Sequence, residues 1–480
     1  MYRYNIISLL SIIGLLIGSA SCEDYLEQYP RDSVAEEEAF ENIDGIESSL
    51  GNLYDRMEEG LYNHRQMNLV GGLLADQLDV AESNSGRLHL HPVNFEGEGF
   101  NLWSRLYNDI NRVNTILHYI EDIEADEERI NQAKGEAYAH RAWRYFDLLR
   151  IYARPYMYQE PLVQGEPQGV IYKTEHFVGI DDKTFQPRGT IEEGYQFVLD
   201  DLQNALDHLS DENEFPYRFT PVVIEATLAR VHLYMGNWQE AASYAETVIE
   251  SGVAELVENY EDAFIPQPGE ESIFEMAFAR GYTPNRYAAT SGMAWQDPET
   301  GEGYGDIILR RELTDLLEEY REKGDQRAEM FFYCNKDGED VAYQSKYTGR
   351  HGSYYQDDNK MIRIAEMYLI AAEAYAEIGN FEQARYYLNE LRNARGSGDI
   401  DIEDNKDEFI DLIFTERRVE FYSEMSHRWF DLRRRGKDIP KGCPDRDAGT
   451  PLDFEDHRVV DRIPDGEIEQ NENCVQNPGY

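Results

Sequence analysis

Residues 361–393 read MIRIAEMYLIAAEAYAEIGNFEQARYYLNELRN, and most of the architecture follows from this stretch. Apolar side chains recur at the spacing of an α-helix, which predicts a helix that reaches almost to the glycine at 379. The apolar face is formed by Ile364, Met367, Tyr368, Ala371 and Tyr375. Gly379 is expected to end this helix and Asn380 to start a second one, so the segment is predicted to be a helix hairpin.

An earlier segment repeats this pattern. Thr220 is expected to cap a helix that has Pro221 at its first position, and Gly236 is expected to end that helix. Asn237 then stands where it can cap the next helix, and Glu240 would complete a capping box with it. The segment is therefore predicted to form a second helix hairpin.

The junctions of the two hairpins are nearly identical, since they read GNWQEA and GNFEQA. A Gly-Asn turn followed by an aromatic residue, with small residues where the helices cross, resembles the tetratricopeptide repeat. Residues 133–152 and 190–209 are predicted to supply weaker copies of the same unit, and Thr190 with Glu193 suits another capping box. We therefore expect several such units in this chain.

The repeats are not contiguous, and the chain between the two glycine junctions is rich in glycine, proline and aromatic residues. The predicted fold is mostly α: tetratricopeptide-like helix hairpins form a scaffold, and a large irregular, loop-rich subdomain carries the ligand site. The hairpins are expected at about 103–152, 190–251 and 361–435. The loop-rich ligand regions are expected at about 60–100 and 255–350.

The first residues predict export. An apolar run from Ile6 to Ile17 is followed by Gly-Ser-Ala-Ser and then Cys22, which is typical of a lipoprotein signal peptide over 1–21 and a lipid-modified cysteine. Residues 22–480 would then form a single domain held at a membrane by acyl chains. The alternative is an ordinary secretory signal cleaved near Ala20, because Ser19 stands where a large aliphatic residue is usual.

The net charge of −49 argues against nucleic acid as a partner, because the phosphates would be repelled. An uncharged or cationic ligand fits this charge better. Beyond Cys22 the cysteines are Cys334, Cys443 and Cys474, without any CxxC spacing. A zinc site is therefore not indicated, while a bridge between Cys443 and Cys474 stays open for an exported chain.

Four sequence blocks follow one another in a recognisable order. They are CEDYLEQYP from Cys22, the pattern Trp103-x3-Tyr107-x2-Ile110-x3-Asn114, RIAEMYLIAAEAY from Arg363, and ERRVEFYSE from Glu416 with RWFDL from Arg428. With the ending QNPGY, they resemble the SusD/RagB family of outer-membrane nutrient-binding lipoproteins over nearly the whole chain. Met425-Ser-His427 departs from the family, which usually has glycine after the glutamate, and this makes the local turn uncertain.

The resemblance implies a function. Such a protein would be a surface lipoprotein that captures an oligomeric nutrient, usually a glycan, and covers a SusC-like TonB-dependent outer-membrane transporter. It would be a binding protein without enzyme activity or cofactor, anchored in the outer membrane and facing the exterior. The acidic residues directly after Cys22 are similar to the export signal of such lipoproteins.

Glycan capture needs flat aromatic rings beside polar groups that satisfy hydroxyls. The segment from Gly281 to Asp306 offers both, and the loop from Glu82 to Phe100 is a second candidate. The predicted ligand-binding residues are Tyr282, Asn285, Tyr287, Trp295, Asp297 and Tyr304 in the first segment, and Arg87 and Asn94 in the second. The alternative for each aromatic residue is packing against the helical scaffold.

Other polar clusters are expected to be structural. Glu416 and Glu420 lie one helical turn apart, like the carboxylate pair of a glycosidase, but arginines surround them and favour a charge network. His89 and His91 lack a third metal ligand nearby, and the acidic residues at 401–407 lack the spacing of an EF-hand, so a structural calcium ion is not indicated. No nucleophile elbow, P-loop or dinucleotide fingerprint is found.

Three functions therefore stay open. The favoured one is a glycan-binding subunit of an uptake complex. The second is the same complex with oligopeptide cargo, which the sequence hardly separates from the first. The third is a repeat scaffold that docks only on the transporter and has no site for a small ligand.

Overall fold

The structure is a computed structural model that describes residues 36, 38–59, 62–93, 99–159, 168–177, 185–211, 215–265, 268–277, 289–297, 300–349, 357–442 and 451–480. Helices dominate these residues and the strands are few and short, which confirms the mostly α fold class. No helix in this part of the chain has both the length and the apolar character needed to cross a membrane.

The regular elements are as follows. The helices are α1 Ile43–Glu58, a π-helix Asn63–Val70, α2 Gly71–Leu74, α3 Trp103–Tyr119, α4 Glu127–Tyr152, α5 Ile191–His208, α6 Pro221–Met235, α7 Trp238–Ser251, α8 Thr290–Ala294, α9 Arg311–Arg321, α10 Ile364–Glu377, α11 Phe381–Ala394, α12 Lys406–Glu420, α13 His427–Arg434 and α14 Asp465–Gln470. The strands are β1 Leu78–Val80, β2 Ser272–Met276, β3 Ile307–Leu309, β4 Phe331–Lys336, β5 Glu339–Gln344, β6 Asn359–Arg363, β7 Ile439–Gly442 and β8 Pro451–Leu452. Within the described ranges the strands pair antiparallel as β1 with β3, β2 with β6, β4 with β5, and β7 with β8.

The two predicted hairpins are the pairs α6–α7 and α10–α11. Gly236 and Gly379 follow their first helices in the left-handed region, with φ of 75° and 81°, which glycine adopts without strain. Asn380 caps α11, because its side chain accepts a hydrogen bond from Gln383 N at 3.3 Å. These junctions form as the sequence predicts.

The capping boxes have different outcomes. The box at Thr190 and Glu193 is confirmed, since each side chain accepts a hydrogen bond from the other residue's backbone N–H. The box expected at Asn237 and Glu240 is wrong. The Asn237 side chain makes no capping bond, and its Nδ2 lies 3.2 Å from Nδ1 of His232. A histidine on the preceding helix therefore competes successfully for this side chain.

The helix pairs pack around one large core, and α1 forms a second, smaller cluster with parts of α3 and α4. Helix α4 packs on α3 and α5, and α10 packs on α7, α11 and α12. Fully buried alanines at the crossings let the helices approach closely. They include Ala226, Ala229, Ala241, Ala245, Ala371 and Ala372.

A buried network of charges joins the end of α12 to distant segments. Its members, which we call the glutamate network, are the carboxylates of Glu271, Asp325, Glu416, Glu420 and Glu424 and the cations of Arg327, Lys346, Arg363, Arg392 and Arg395. Charges of both signs are thus equally represented in it. The expected charge network at Glu416 and Glu420 is confirmed, although its cations come from other segments and not from the neighbouring Arg417 and Arg418.

Glu420 is the centre of this network and is fully buried. Its Oε1 accepts from Arg363 at 2.9 Å and from Arg395 at 3.0 Å, while Arg327 lies 3.4 Å from Oε2. Burial alone would raise the pKa of Glu420, but Arg395, Arg363 and Arg327 outweigh it and hold the pKa well below its usual value. Such a carboxylate is fixed as a structural anion and is unavailable as a general acid.

We expect Glu420→Gln to lower the free energy of unfolding by about 3–5 kcal/mol, because buried guanidinium groups would lose their counter-charge. Urea denaturation followed by circular dichroism measures this difference. Glu403→Gln is the matched control, since Glu403 is exposed. A Glu420→Gln protein as stable as this control would show that the network does not hold the fold together.

Candidate functional site

The two loops that the sequence proposes as ligand sites lie side by side. Strand β1 leads into the loop after residue 80, β3 follows the loop that ends at 306, and Val80 pairs with Ile307. Asp306 holds the loops together, because its carbonyl accepts from Ala81 N at 2.9 Å and its carboxylate accepts from Ser85 N at 3.1 Å. The described parts of the two candidate segments therefore lie next to each other.

Arg87 and Tyr304 meet where these two segments lie next to each other. The Arg87 guanidinium lies over the Tyr304 ring, with Cζ 5.1 Å from the ring centroid, and both side chains are half-buried. The pair combines an aromatic face with N–H donors, which are the groups that recognise a sugar ring and its hydroxyls. Two of the predicted residues are thus brought together, one from each loop.

Trp295 and Asp297 lie at the start of a tight turn before Tyr304. Trp295 is only 8% exposed, and Asp297 Oδ1 accepts a hydrogen bond from Thr300 N at 2.8 Å. Gly303 has φ of 95°, and a Cβ there would lie 2.4 Å from the Trp295 carbonyl oxygen, so the turn requires glycine. Asp297 therefore shapes the loop, and Trp295 exposes little of its ring.

The other predicted ligand-binding residues lie outside the described residues. They are Asn94, Tyr282, Asn285 and Tyr287. The predicted lipidation site, Cys22, is also outside this range. These predictions remain open.

The π-helix Asn63–Val70 is hydrogen-bonded to the segment that leads to Trp295. The His64 carbonyl accepts from the hydroxyl of Thr290 at 2.8 Å, and Asn68 Nδ2 donates to the same hydroxyl at 3.1 Å. Thr290 opens the short helix α8, which ends just before Trp295. The backbone that carries Trp295 is thereby tied to the π-helix.

The π-helix and the first residue of α2 are both bonded to the turn between α12 and α13. Met425 N donates to Asn68 Oδ1 at 3.0 Å, and Ser426 Oγ accepts from Gly71 N at 3.1 Å. Ser423, Met425 and Ser426 have positive φ values between 41° and 59°. This turn is the place where the sequence departs from the family glycine, and these hydrogen bonds support its strained backbone.

Two features of this region were not predicted from the sequence. The π-helix has no periodic signal of its own, because a 3.6-residue period does not describe its winding. The second feature is a groove of about 520 Å³ beside β1 and β3, lined by Asp79, Arg310 and the 55% exposed Tyr333, among others. One tyrosine among 34 gave no signal that could single it out.

Metal ligands are not clustered in the part of the chain that is described, where no group of three suitable side chains is found. His89 and His91 instead approach backbone carbonyls, at 2.6 Å from Gly86 O and 3.2 Å from Gly99 O. Cys474 is buried, and the bridge to Cys443 that the sequence left open stays a prediction. Cys443 itself is outside the described residues.

Comparisons with known proteins identify the family. A family model described as starch-binding and associating with the outer membrane matches residues 24–233, and the SusD family model matches 318–480. A SusD-like protein of Formosa agariphila is 26% identical, and the match covers 92% of this chain and 93% of that protein.

Solved structures are similar as well. A SusD superfamily protein of Bacteroides vulgatus has a TM-score of 0.79 at 26% identity, and the match covers 92% of this chain and 99% of that one. A SusD-like carbohydrate binding protein of Bacteroides vulgatus shares the fold, with a TM-score of 0.76 at 21% identity over 90% of this chain and 97% of that one.

The chain belongs to the SusD/RagB family. Together the two family models cover most of its length, and the relatives match it almost from end to end. The family consists of binding proteins and not of enzymes, so the expectation that this chain has no enzyme activity is confirmed.

Glu58 is the last residue of α1, and its carboxyl group predicts that the stability of the protein depends on pH. Burial raises the pKa of Glu58 to about 8, with Asp55, Asp358 and Glu59 adding repulsion. Between its ordinary value of 4.5 and this value, the folded protein holds a proton that the unfolded chain releases, so stability falls as the pH rises. Glu58→Gln should therefore match the wild type near pH 4.5 and exceed its melting temperature at pH 8.

Thermal unfolding across this pH range tests the prediction. Glu124→Gln is the control, because Glu124 is exposed. If the melting temperatures of the wild type and Glu58→Gln change with pH in the same way, Glu58 has the same pKa in the folded and unfolded chains.

Proposed function

We propose that the chain captures oligosaccharides at the cell surface and passes them to a SusC-like TonB-dependent transporter in the outer membrane. The observation that carries the proposal is the half-buried Tyr304 ring with the Arg87 guanidinium over it, at the junction of the two candidate loops. Trp295, Asp297, Tyr282, Tyr287, Asn285 and Asn94 are proposed to contribute to the same surface.

Three kinds of observation support a glycan as cargo. The family model that matches residues 24–233 is described as starch-binding, and a protein of the same fold is described as carbohydrate binding. The local chemistry agrees, because a sugar presents C–H faces to an aromatic ring and hydroxyls to guanidinium donors. The glutamate network removes the conspicuous carboxylate pair from reactive chemistry.

The membrane location is proposed from the sequence and the family. The family model is described as associating with the outer membrane, and Cys22 follows an apolar leader. Acyl chains on Cys22 would hold the protein, because each buried methylene contributes about 0.8 kcal/mol. The transporter partnership follows from the family resemblance, and co-purification of the two proteins from membranes tests it.

We expect Tyr304→Ala to weaken oligosaccharide binding about tenfold, because the sugar loses its stacking partner, which corresponds to about 1.4 kcal/mol. A thermal-shift panel of plant, host and microbial oligosaccharides, with a peptide mixture as comparator, first identifies the ligand class. Isothermal titration calorimetry then measures the dissociation constant. Tyr386→Ala is the matched control, because Tyr386 is 52% exposed on α11.

The panel separates the alternatives. Stabilisation by peptides alone would contradict glycan capture and favour oligopeptide cargo. If no ligand shifts the melting temperature and a transporter co-purifies, the result would favour a scaffold that only docks on the transporter. Unchanged affinity of Tyr304→Ala would exclude the Arg87–Tyr304 surface as the binding site.

The anchor gives a separate prediction. Cys22→Ser should move the exported protein from the membrane fraction to the soluble fraction, because the acylated residue is lost. Fractionation with immunoblotting measures this, and Cys334→Ser is the control, since Cys334 is a free thiol in the folded body. Wild-type protein found in the soluble fraction would support the ordinary signal peptide cleaved near Ala20.

A further inference from the structure

The groove beside β1 and β3 is separate from the Arg87–Tyr304 pair. Neither of these two residues lines it; its walls come from β1, β3, the start of α9 and the hairpin of β4 and β5. Its volume is about 520 Å³. Sites for small molecules commonly measure about 300–1,000 Å³, so the groove is large enough to be one.

Tyr333 of β4 presents an aromatic ring to this groove. It lies directly opposite Ala342 of β5, and both residues line the groove. The residue opposite on the neighbouring strand is the one best placed to cover a ring, and alanine has only a methyl group to do so. Phe331 lies at 77° to the Tyr333 ring, with centroids 5.5 Å apart, so the two rings are not stacked. Tyr333 therefore remains 55% exposed.

The polar groups of the groove already have partners within the protein. Arg310 donates to Glu312 at 3.2 Å, and Arg311 lies 3.7 Å from Asp315. Asp340 accepts from Asn335 at 3.0 Å, and Asp79 lies 3.8 Å from Arg310. A cation is therefore not needed to compensate these carboxylates.

The charges of the groove also disfavour an anion, because its carboxylates outnumber its guanidinium groups. A neutral ligand that carries hydroxyls suits the groove better. Hydroxyls donate to carboxylate oxygens and accept from guanidinium N–H groups, and an ion pair leaves some of these donors and acceptors available. The Arg311 side chain, for example, is 89% exposed. Together with the Tyr333 ring, this chemistry matches a sugar.

The hairpin that carries Tyr333 is hydrogen-bonded to the loop that carries Tyr304. Lys336 Nζ donates to the carbonyls of Tyr304 at 2.8 Å and Gly305 at 2.7 Å, and the Tyr343 hydroxyl donates to Gly305 O at 3.0 Å. Side chains alternate along a strand, so Lys336 and Tyr343 lie on the face of the hairpin opposite to Tyr333. The hairpin thus holds the two aromatic rings on its two sides, and one ligand reaches both rings only if it extends past the hairpin.

We propose that the groove at Tyr333 is a second glycan subsite, which binds a neutral part of a long oligosaccharide while another part is held at Tyr304. The inference rests on the proposed function and adds that the protein selects long chains. Tyr333 would stack on a sugar ring, and the side chains at the start of α9 would bind its hydroxyls. Two contacts made by one ligand raise the affinity, because the second contact forms within the same complex.

Oligosaccharides of different length test the proposal. The probes are trisaccharide and octasaccharide fractions from four neutral glycans: starch, laminarin, xylan and galactomannan. Isothermal titration calorimetry with the purified protein measures each dissociation constant. We expect the octasaccharide of at least one glycan to bind at least tenfold more tightly than its trisaccharide.

Tyr333→Ala should weaken octasaccharide binding about tenfold and leave trisaccharide binding unchanged, because only the long ligand reaches the groove. Tyr333→Phe keeps the ring and should keep the preference for the long chain. Arg311→Ala is a second variant, which removes donors from the groove without changing the core, and it should also weaken octasaccharide binding alone. Tyr386→Ala is the matched control, because Tyr386 is 52% exposed on α11.

The stability of the variants excludes an indirect effect. Tyr333→Ala should have the same melting temperature as Tyr386→Ala, since both replaced rings are largely exposed. A lower melting temperature with equal loss of trisaccharide and octasaccharide binding would show that Tyr333 only supports the hairpin, and this result would overturn the subsite.

The remaining outcomes separate this inference from the proposed function. Equal affinity for both lengths, or a length preference that Tyr333→Ala leaves unchanged, overturns the second subsite while glycan capture stands. If the thermal-shift panel identifies a glycan ligand but none of the four neutral glycans binds, the neutral subsite is likewise overturned. Absence of binding to every glycan in both experiments overturns the subsite and the proposed function together.

Discussion

Burial of the glutamate network constrains the whole molecule. Glu420 sits at the end of α12, and its partners come from β6, from the end of α11 and from the turn at Arg327. Removing charges from water is costly, and the cost is offset only when every partner is present in good geometry. Segments far apart in the chain must therefore assemble together, which joins the helix hairpins and the loop-rich region into one body.

The network also fixes the position of the candidate surface. Directly after Glu424 the chain enters a turn with a left-handed backbone, and Asn68 and Gly71 bond to that turn. The same π-helix bonds to Thr290, just before the loop that carries Tyr304, and Tyr304 contacts Arg87 of the other loop. Hydrogen bonds and short stretches of chain thus connect the charged core to the loops. Loops held in place in this way lose less conformational entropy when a ligand binds.

The features predicted correctly from the sequence are those set by residues close together in the chain. Apolar periodicity and the glycines at 236 and 379 were sufficient for the hairpins, because these signals act within a few residues. The failed cap at Asn237 depended on His232, and the cations around Glu420 come from segments distant in the chain. Side-chain competition and long-range pairing are not encoded in local spacing. For the same reason the sequence proposed Arg87 and Tyr304 separately, and only the pairing of β1 with β3 shows that they meet.

We propose that the loops joined by β1 and β3 form the ligand site of this SusD/RagB protein. The most direct test is a crystal structure of the protein with the oligosaccharide selected by the binding panel. We expect this structure to show a sugar ring against Tyr304, within hydrogen-bond distance of Arg87. A sugar bound only in the groove at Tyr333, or on the surface of the helix hairpins, would contradict it.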